Sequence, residues 1–488
     1  MPEIINFQNV SYSYTGGKNA LEGINLSVKE GEFLAVMGEN GAGKTTFCKL
    51  INGIIPHLCG GQLSGTVTVD GLRTDKSSVP ALALKAGIVL DDPDTQLFTS
   101  SVFHEAAFGP ENLLLPPEEI KKRVNWALGV AGLCGFENRL PASLSGGEKQ
   151  RLVIAASLAM KGKILVLDEP LCRLDPEGAA QVMSVLKDLK EKHGITVIMA
   201  DHHSGMIKDI ADRVCVLRNG HIAACDTAEK IFSCRSLLDE NGIQPPFEGD
   251  IHGVFSENKE KYSRSEIKTN AIQITDFSYS YGPNSSVENI SLTVSDNEFT
   301  AIIGRNGCGK TTLLKNIAGL LKPCKGDIFI RGKNTKNLTV WAVSKEAGFV
   351  MQNPGSQLFT GSVYDEVSFA LKNANLPKTE IHRRVQDALC MTGLEDPSAF
   401  PHALSAADRT KTVIACILAM DCKIIIFDEI DVGLDYKESL KIMNLAKELH
   451  SKGYTIIFVT HNISLVCEYA HRLIKMEKNG ILSDMRRF

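Results

Sequence analysis

Two stretches of this chain carry glycines and hydroxyl side chains around a lysine at a spacing that can hold phosphate. The first is Gly38-Glu39-Asn40-Gly41-Ala42-Gly43-Lys44-Thr45-Thr46, which reads G-x-x-x-x-G-K-T. Its glycines let the backbone curl until successive N–H groups point at a triphosphate. The N-terminus of the following helix adds partial positive charge. Lys44 can reach the β- and γ-phosphates, and the Thr45 hydroxyl suits Mg²⁺. The second stretch, Gly304-Arg305-Asn306-Gly307-Cys308-Gly309-Lys310-Thr311-Thr312, repeats the pattern. Each copy also has an apolar run that ends in two carboxylates, Asp168 with Glu169 and Asp428 with Glu429. A phosphate cradle beside paired carboxylates suits phosphoryl transfer to water, which needs charge neutralisation and an oriented nucleophile. His202 and His461 follow the next apolar run in both copies; each alone would read as a structural histidine.

Strands must carry these groups. Phe33–Met37 and Phe299–Ile303 are apolar runs leading into the glycine loops, with helical patterns behind them. Residues 3–14 and 272–281 read as strands ending in Tyr14 and Tyr281. Either tyrosine could stack on an adenine ring or serve as a core aromatic. Residues 101–133 and 362–394 carry helical spacing, interrupted in the first copy by Pro110, Pro116 and Pro117. The strands ending in paired carboxylates are apolar throughout, as buried parallel strands are. Residues 226–246 read as a small helical tail, and 247–269 as a polar linker without periodicity. The expected organisation is one domain over 1–246, the linker over 247–269, and a second domain over 270–488.

The 488 residues suffice for two cores, and a net charge of −4 with mixed signs argues against nucleic-acid binding as the main activity. No apolar stretch approaches the roughly 18–20 residues that span a bilayer. Met1-Pro-Glu-Ile-Ile lacks the features of a signal peptide, so a cytoplasmic location is expected. The 13 cysteines are scattered without metal-ligand spacing and are expected as free thiols.

In order, these segments resemble the ATP-binding cassette (ABC) ATPases, twice over. Leu144-Ser145-Gly146-Gly147-Glu148-Lys149-Gln150 beside a phosphate loop and the Ile164–Glu169 strand carries the resemblance, and Leu404 to Thr410 is its twin. The resemblance implies an α/β fold of two P-loop nucleotide-binding domains, each with a RecA-like core, an antiparallel β subdomain and a helical subdomain. It implies ATP and Mg²⁺ as ligands, with Asp168 and Asp428 in the Mg²⁺ shell beside Thr45 and Thr311. Glu169 and Glu429 would be general bases, His202 and His461 switch histidines, and Gln352 the sensor that links the ion to the helical subdomain. Two such cassettes pair head to tail, so that Ser145, Gly146 and Gly147 would cap the Lys310 site and Ser405 the Lys44 site. A narrower resemblance, carried by Leu97-Phe98, Phe108 to Leu113 and Leu237 to Pro246, is to the energy-coupling-factor (ECF) importers. It implies a multi-spanning transmembrane coupling protein, a substrate-binding membrane subunit, and uptake of a vitamin or transition-metal ion. Glu105 and Glu111 are then candidate partner contacts. Phe369 to Asn373 departs from the ECF pattern, and the insertions could equally pack only on their own domains. The alternatives are a soluble twin-cassette ATPase acting on ribosomes or DNA, and the ATPase of another importer type.

The two halves differ at telling positions. Asp91 stands where the second half has Gln352, with Asp92 and Asp94 adding negative charge nearby. Ser405-Ala406-Ala407 replaces Ser145-Gly146-Gly147, which would strain the loop wherever glycine geometry with positive φ is needed. One working and one degenerate site are therefore expected. Cys308, inside the second loop, could be a reactive thiol or merely a small residue that the loop tolerates.

Overall fold

The apolar runs that lead into the glycine loops become the central strands of two parallel sheets. β1 (Glu3–Ser13), β2 (Asn19–Lys29) and β3 (Phe33–Met37) open the chain, and all five residues of β3 are buried. Burial on both faces fits a continuous apolar run, each large side chain contributing about 1.5–3 kcal/mol. β4 (Gln62–Val69) and β5 (Leu72–Arg73) follow, then β6 (Ala86–Val89), β7 (Ile164–Asp168), β8 (Thr196–Ala200), β9 (Arg213–Arg218) and β10 (His221–Thr227). The core sheet has the order β10-β9-β3-β8-β7-β6, with only β10 antiparallel. β2-β1-β4-β5 form a separate antiparallel sheet.

The second half rebuilds this plan with β11 (Phe255–Ser256), β12 (Asn270–Gly282), β13 (Ser285–Ser295), β14 (Phe299–Gly304), β15 (Lys325–Ile330), β16 (Lys333–Asn334), β17 (Ala347–Val350), β18 (Ile424–Phe427), β19 (Thr455–Val459), β20 (Arg472–Glu477) and β21 (Gly480–Arg487). Its sheets run β11-β21-β20-β14-β19-β18-β17 and β13-β12-β15-β16. The computed structural model describes residues 2–247, 249, 251–256, 270–282, 285–429, 431–477 and 480–487. The chain divides into two compact units, Met1–Pro246 and Phe247–Phe488. Each has a P-loop α/β core, an antiparallel sheet and a helical subdomain.

In the stretch read as linker, Ile251–Val254 form a helical turn and β11 pairs with β21, Phe255 opposite Arg487. Residues 257–269 lie outside the described residues. The helical insertions are Val102–Asn112 with Pro117–Val130, and Val363–Asn373 with Lys378–Thr392. Ser101 and Ser362 cap them by accepting the backbone N–H of His104 and Asp365. Pro110 does not break its helix but sits in the last turn, while Pro116 and Pro117 start the next one.

Candidate functional site

The first phosphate loop links β3 to the helix Lys44–Ile51, the second links β14 to the helix Lys310–Ile317. Both helices begin at a left-handed glycine with no side-chain cap, which leaves first-turn N–H groups for a ligand. Gly43 has φ 106°, and a Cβ there would meet the Ala20 carbonyl at 2.6 Å. Gly309 has φ 98°, and its Cβ would meet Val287 Cγ2 at 2.2 Å. No other residue fits either place.

Each lysine folds back over its own loop. Lys44 Nζ donates to the Gly38 and Glu39 carbonyls at 3.1 Å, and Lys310 Nζ to those of Gly304 and Arg305 at 2.8 and 3.1 Å. Thr45 Oγ1 donates to Asp168 Oδ1 at 3.1 Å, and Thr311 Oγ1 to Asp428 Oδ1 at 3.0 Å. Burial, and then the neighbouring glutamate's charge, pushes both aspartates up to about 6, although the threonine bonds oppose it. A hydroxyl paired with a buried carboxylate fits Mg²⁺, which takes one or two carboxylates and completes its shell with water and phosphate.

Glu169 and Glu429 follow at the strand ends with φ of 49° and 48°, a left-handed backbone that costs roughly 1 kcal/mol or more. Burial would raise both carboxyls, but the histidine and lysine beside each hold it below the usual range. His202 Nε2 lies 3.1 Å from Glu169 Oε1, and Lys44 Nζ 3.6 Å. His461 Nε2 lies 3.4 Å from Glu429 Oε1 and 3.1 Å from Asn306 Oδ1. Gln352 Nε2 donates to Glu429 Oε2 at 2.6 Å, so its amide faces the glutamate here and not the Thr311–Asp428 pair. Tyr279, Tyr281, Lys310, Thr312 and Glu429 line a cavity of about 220 Å³ in the second unit. Tyr281 is exposed, edge-on to Tyr279; Tyr14 is edge-on to Tyr12, and its hydroxyl lies 3.1 Å from Thr46 Oγ1.

Several expectations need correction. Cys308 is only 5% exposed and packs in the core beneath its loop, where a Gly304 Cβ would meet its sulfur at 2.9 Å. Its side chain therefore faces away from the phosphate position. Asp92 and Asp94 do not leave their charge uncompensated: Arg173 Nη1 donates to Asp92 and Lys149 Nζ to Asp94, both at 2.7 Å. The added charge at the Lys44 site reduces to Asp91.

Gly146 and Gly147 lie within the signature helix Gly146–Ala159, without positive φ. Strain is thus not what distinguishes Ala406 and Ala407. The close approach is Gly147 to Gly178, whose Cα a Cβ would meet at 3.2 Å. Ser145 caps this helix in a reciprocal box with Glu148, and Ser405 caps its twin through Asp408.

Glu105 is no surface contact: it is 4% exposed and accepts from Phe98 N, Thr99 N and Thr99 Oγ1. Glu366 does the same for Phe359 and Thr360. Gln96 and Gln357 were overlooked. Each accepts from the backbone of residue 90 or 351 and donates to that of 88 or 349, which fastens the loop after the sensor position to the core strand. Their recurrence in Gln-Leu-Phe of both halves was the available signal. Asp201 was missed as well; it accepts from Leu171 N and lies 2.5 Å from His203 Nδ1, bracing the turn that carries His202.

A family model described as ABC transporter matches residues 21–172 and 287–431, which contain both phosphate loops and both carboxylate pairs. A protein of Caldanaerobacter subterraneus subsp. tengcongensis assigned as an ABC transporter ATP-binding protein is 35% identical over 96% of this chain and 89% of its own. One from Methanosarcina acetivorans is 35% identical over 98% of this chain and 85% of its own. The solved structure of cbiO1 from Clostridium perfringens, part of the ABC transporter complex cbiONQ, is 35% identical over 49% of this chain and 94% of that chain, with a TM-score of 0.45. Two phosphate loops, each facing a glutamate held by a histidine, and a match that recurs in both halves make this chain a member of the ABC transporter ATP-binding family, an ATP-hydrolysing protein with two nucleotide-binding domains in one polypeptide.

Proposed function

We propose that this ATPase is the energy-coupling subunit of an ECF-type importer for a vitamin or transition-metal ion. It would dock on the cytoplasmic side of a membrane to a multi-spanning coupling protein that works with a substrate-binding membrane subunit. The observation that carries this reading is an exposed aromatic pair repeated in both units. Phe98, 66% exposed, lies edge-on to Phe108 at 4.8 Å; Phe359, 64% exposed, lies edge-on to Phe369 at 4.9 Å. The buried glutamates Glu105 and Glu366 hold the backbone of these loops directly after the sensor segments. Apolar rings held ready at matching places suit an incoming helix, and covering each would contribute about 1.5–3 kcal/mol. Phe369 keeps this geometry although its flanking sequence departs from the ECF pattern. Among the described residues no helix is long and apolar enough to cross a membrane; the spanning path in this reading belongs to the partners.

In the same reading Thr45 with Asp168, and Thr311 with Asp428, would hold Mg²⁺, which when bound would supply charge neutralisation for the transferred phosphoryl group. Lys44 and Lys310 leave their loop carbonyls for the β- and γ-phosphates. Glu429 orients and deprotonates water, with His461 and Gln352 fixing its two oxygens. Asp91 is exposed where Gln352 stands, and an ionised carboxylate cannot donate to Glu169. The Lys310 site, capped by Ser145, Gly146 and Gly147, is then the working one, and the Lys44 site, capped by Ser405, mainly holds ATP.

The test is affinity purification of the tagged chain from gently solubilised membranes. A multi-spanning membrane protein should co-purify, and Phe98→Ala/Phe108→Ala should lose it while ATP binding stays. Recovery with ribosomes or nucleic acid alone would establish the soluble alternative instead.

A further inference from the structure

The two units use one arginine differently. In the second, Arg472 Nη1 donates to the Thr293 carbonyl at 2.6 Å and to Glu298 Oε1 at 3.2 Å, and its Nε donates to Asp484 Oδ1 at 2.7 Å. Arg213 repeats the first two contacts, donating to the Ser27 carbonyl at 3.1 Å and Glu32 Oε1 at 2.9 Å. Where Asp484 would be, it meets sulfur: Arg213 Nη2 lies 3.1 Å from Cys225 Sγ. The registers agree, since Asp484 lies across from Ile474 on β20 and Cys225 across from Cys215 on β9. A guanidinium that binds two carboxylates in one unit has one carboxylate and one sulfur in the other.

We propose that Cys225 is a thiolate modification site, oxidised by a peroxide and then closed into a disulfide with Cys215 across the β9–β10 hairpin. Directly opposed antiparallel residues have Cα atoms roughly 4.5–5.5 Å apart, inside the range that a disulfide spans. Cys225 is partly exposed and Cys215 buried, so the oxidant meets Cys225 first. The Cys215 thiol and the Arg213 guanidinium hold Cys225 down to about 7 against its burial, while the same contact raises Cys215.

In the first step a sulfur lone pair of Cys225 attacks one peroxide oxygen and the O–O bond breaks. The departing hydroxide takes a proton to become water, and the two-electron oxidation leaves a sulfenic acid. Cys215 then loses its proton and attacks the Cys225 sulfur; the S–O bond breaks and hydroxyl leaves with that proton as a second water. The hairpin also touches the phosphate loop, since Gly220 N donates to the Ala42 carbonyl at 3.2 Å.

The test is pulsed alkylation of the full chain with iodoacetamide from about pH 6 to pH 9, read by peptide mass spectrometry. Cys225 should titrate near 7, so that its alkylation is already half-maximal there. At pH 7 Arg213→Ala should slow Cys225 alkylation by less than the roughly 15-fold that loss of the whole shift to an ordinary thiol would give, because the Cys215 contact remains, and Arg213→Lys should restore most of the rate. Hydrogen peroxide should then link the Cys215 and Cys225 peptides with loss of two hydrogens, and in Cys215→Ser leave a Cys225 sulfenic acid that dimedone traps. An unchanged Cys225 alkylation rate in Arg213→Ala, or peroxide treatment without that link, overturns the proposal.

Discussion

Glu105 shows what a residue's type conceals. An acidic side chain in a helical insertion reads as solvated, yet this one is buried and satisfies three donors of the neighbouring loop. Glu105→Ala should cost roughly 3 kcal/mol by orphaning those donors, measured by urea unfolding, and Glu366→Ala should behave alike. The paired aspartates give the opposite prediction. Asp168 and Asp428 sit at about 6, so between about pH 4 and pH 6 the folded chain binds more protons than the unfolded one. Stability contributed by these groups is present at low pH and is lost as pH rises through 6. Asp428→Asn should therefore stabilise the nucleotide-free protein by roughly 1–3 kcal/mol at neutral pH, while abolishing hydrolysis. Thermal unfolding across pH checks the first outcome and phosphate release the second. At this scale the sequence placed the lysines, threonines and carboxylates at the helix starts and strand ends where the structure brings Thr45 to Asp168 and Thr311 to Asp428. It could not show which way Cys308 points, nor that Asp92 and Asp94 meet Arg173 and Lys149, because those contacts join loops distant in the chain.

Among elements, the strands leading into the loops and those ending in paired carboxylates were readable because both faces are buried and the apolar run is unbroken. β11 was not. Two residues show no periodicity, and Phe255 is placed only by pairing with β21 near the far end of the chain. Its ring is fully buried in the second core, so Phe255→Ala should cost about 3–5 kcal/mol. Calorimetry should show the second unit's transition falling while the first unit's stays. The signature helices teach a similar lesson. The pressure for a small residue at Gly147 comes from the backbone of Gly178 and not from its own dihedral angles, and no motif reveals that neighbour.

For the whole molecule the duplication is its own control, because each loop lysine, carboxylate pair and histidine has a twin in the same chain. In the proposed head-to-tail pairing, Glu429→Gln should remove nearly all ATP turnover and Glu169→Gln should leave most of it, a difference on the order of 100-fold in phosphate release. Equal losses would mean equivalent sites. The left-handed glutamates have a consequence of another kind. Both units hold a strained backbone and a buried, adjacent pair of acids beside the phosphate loop. These features cost the fold stability, and a ligand that binds only the folded chain adds stability by mass action. Bound nucleotide should therefore slow cutting of the purified chain by a protease, so that occupancy of the loops also sets how long the molecule lasts.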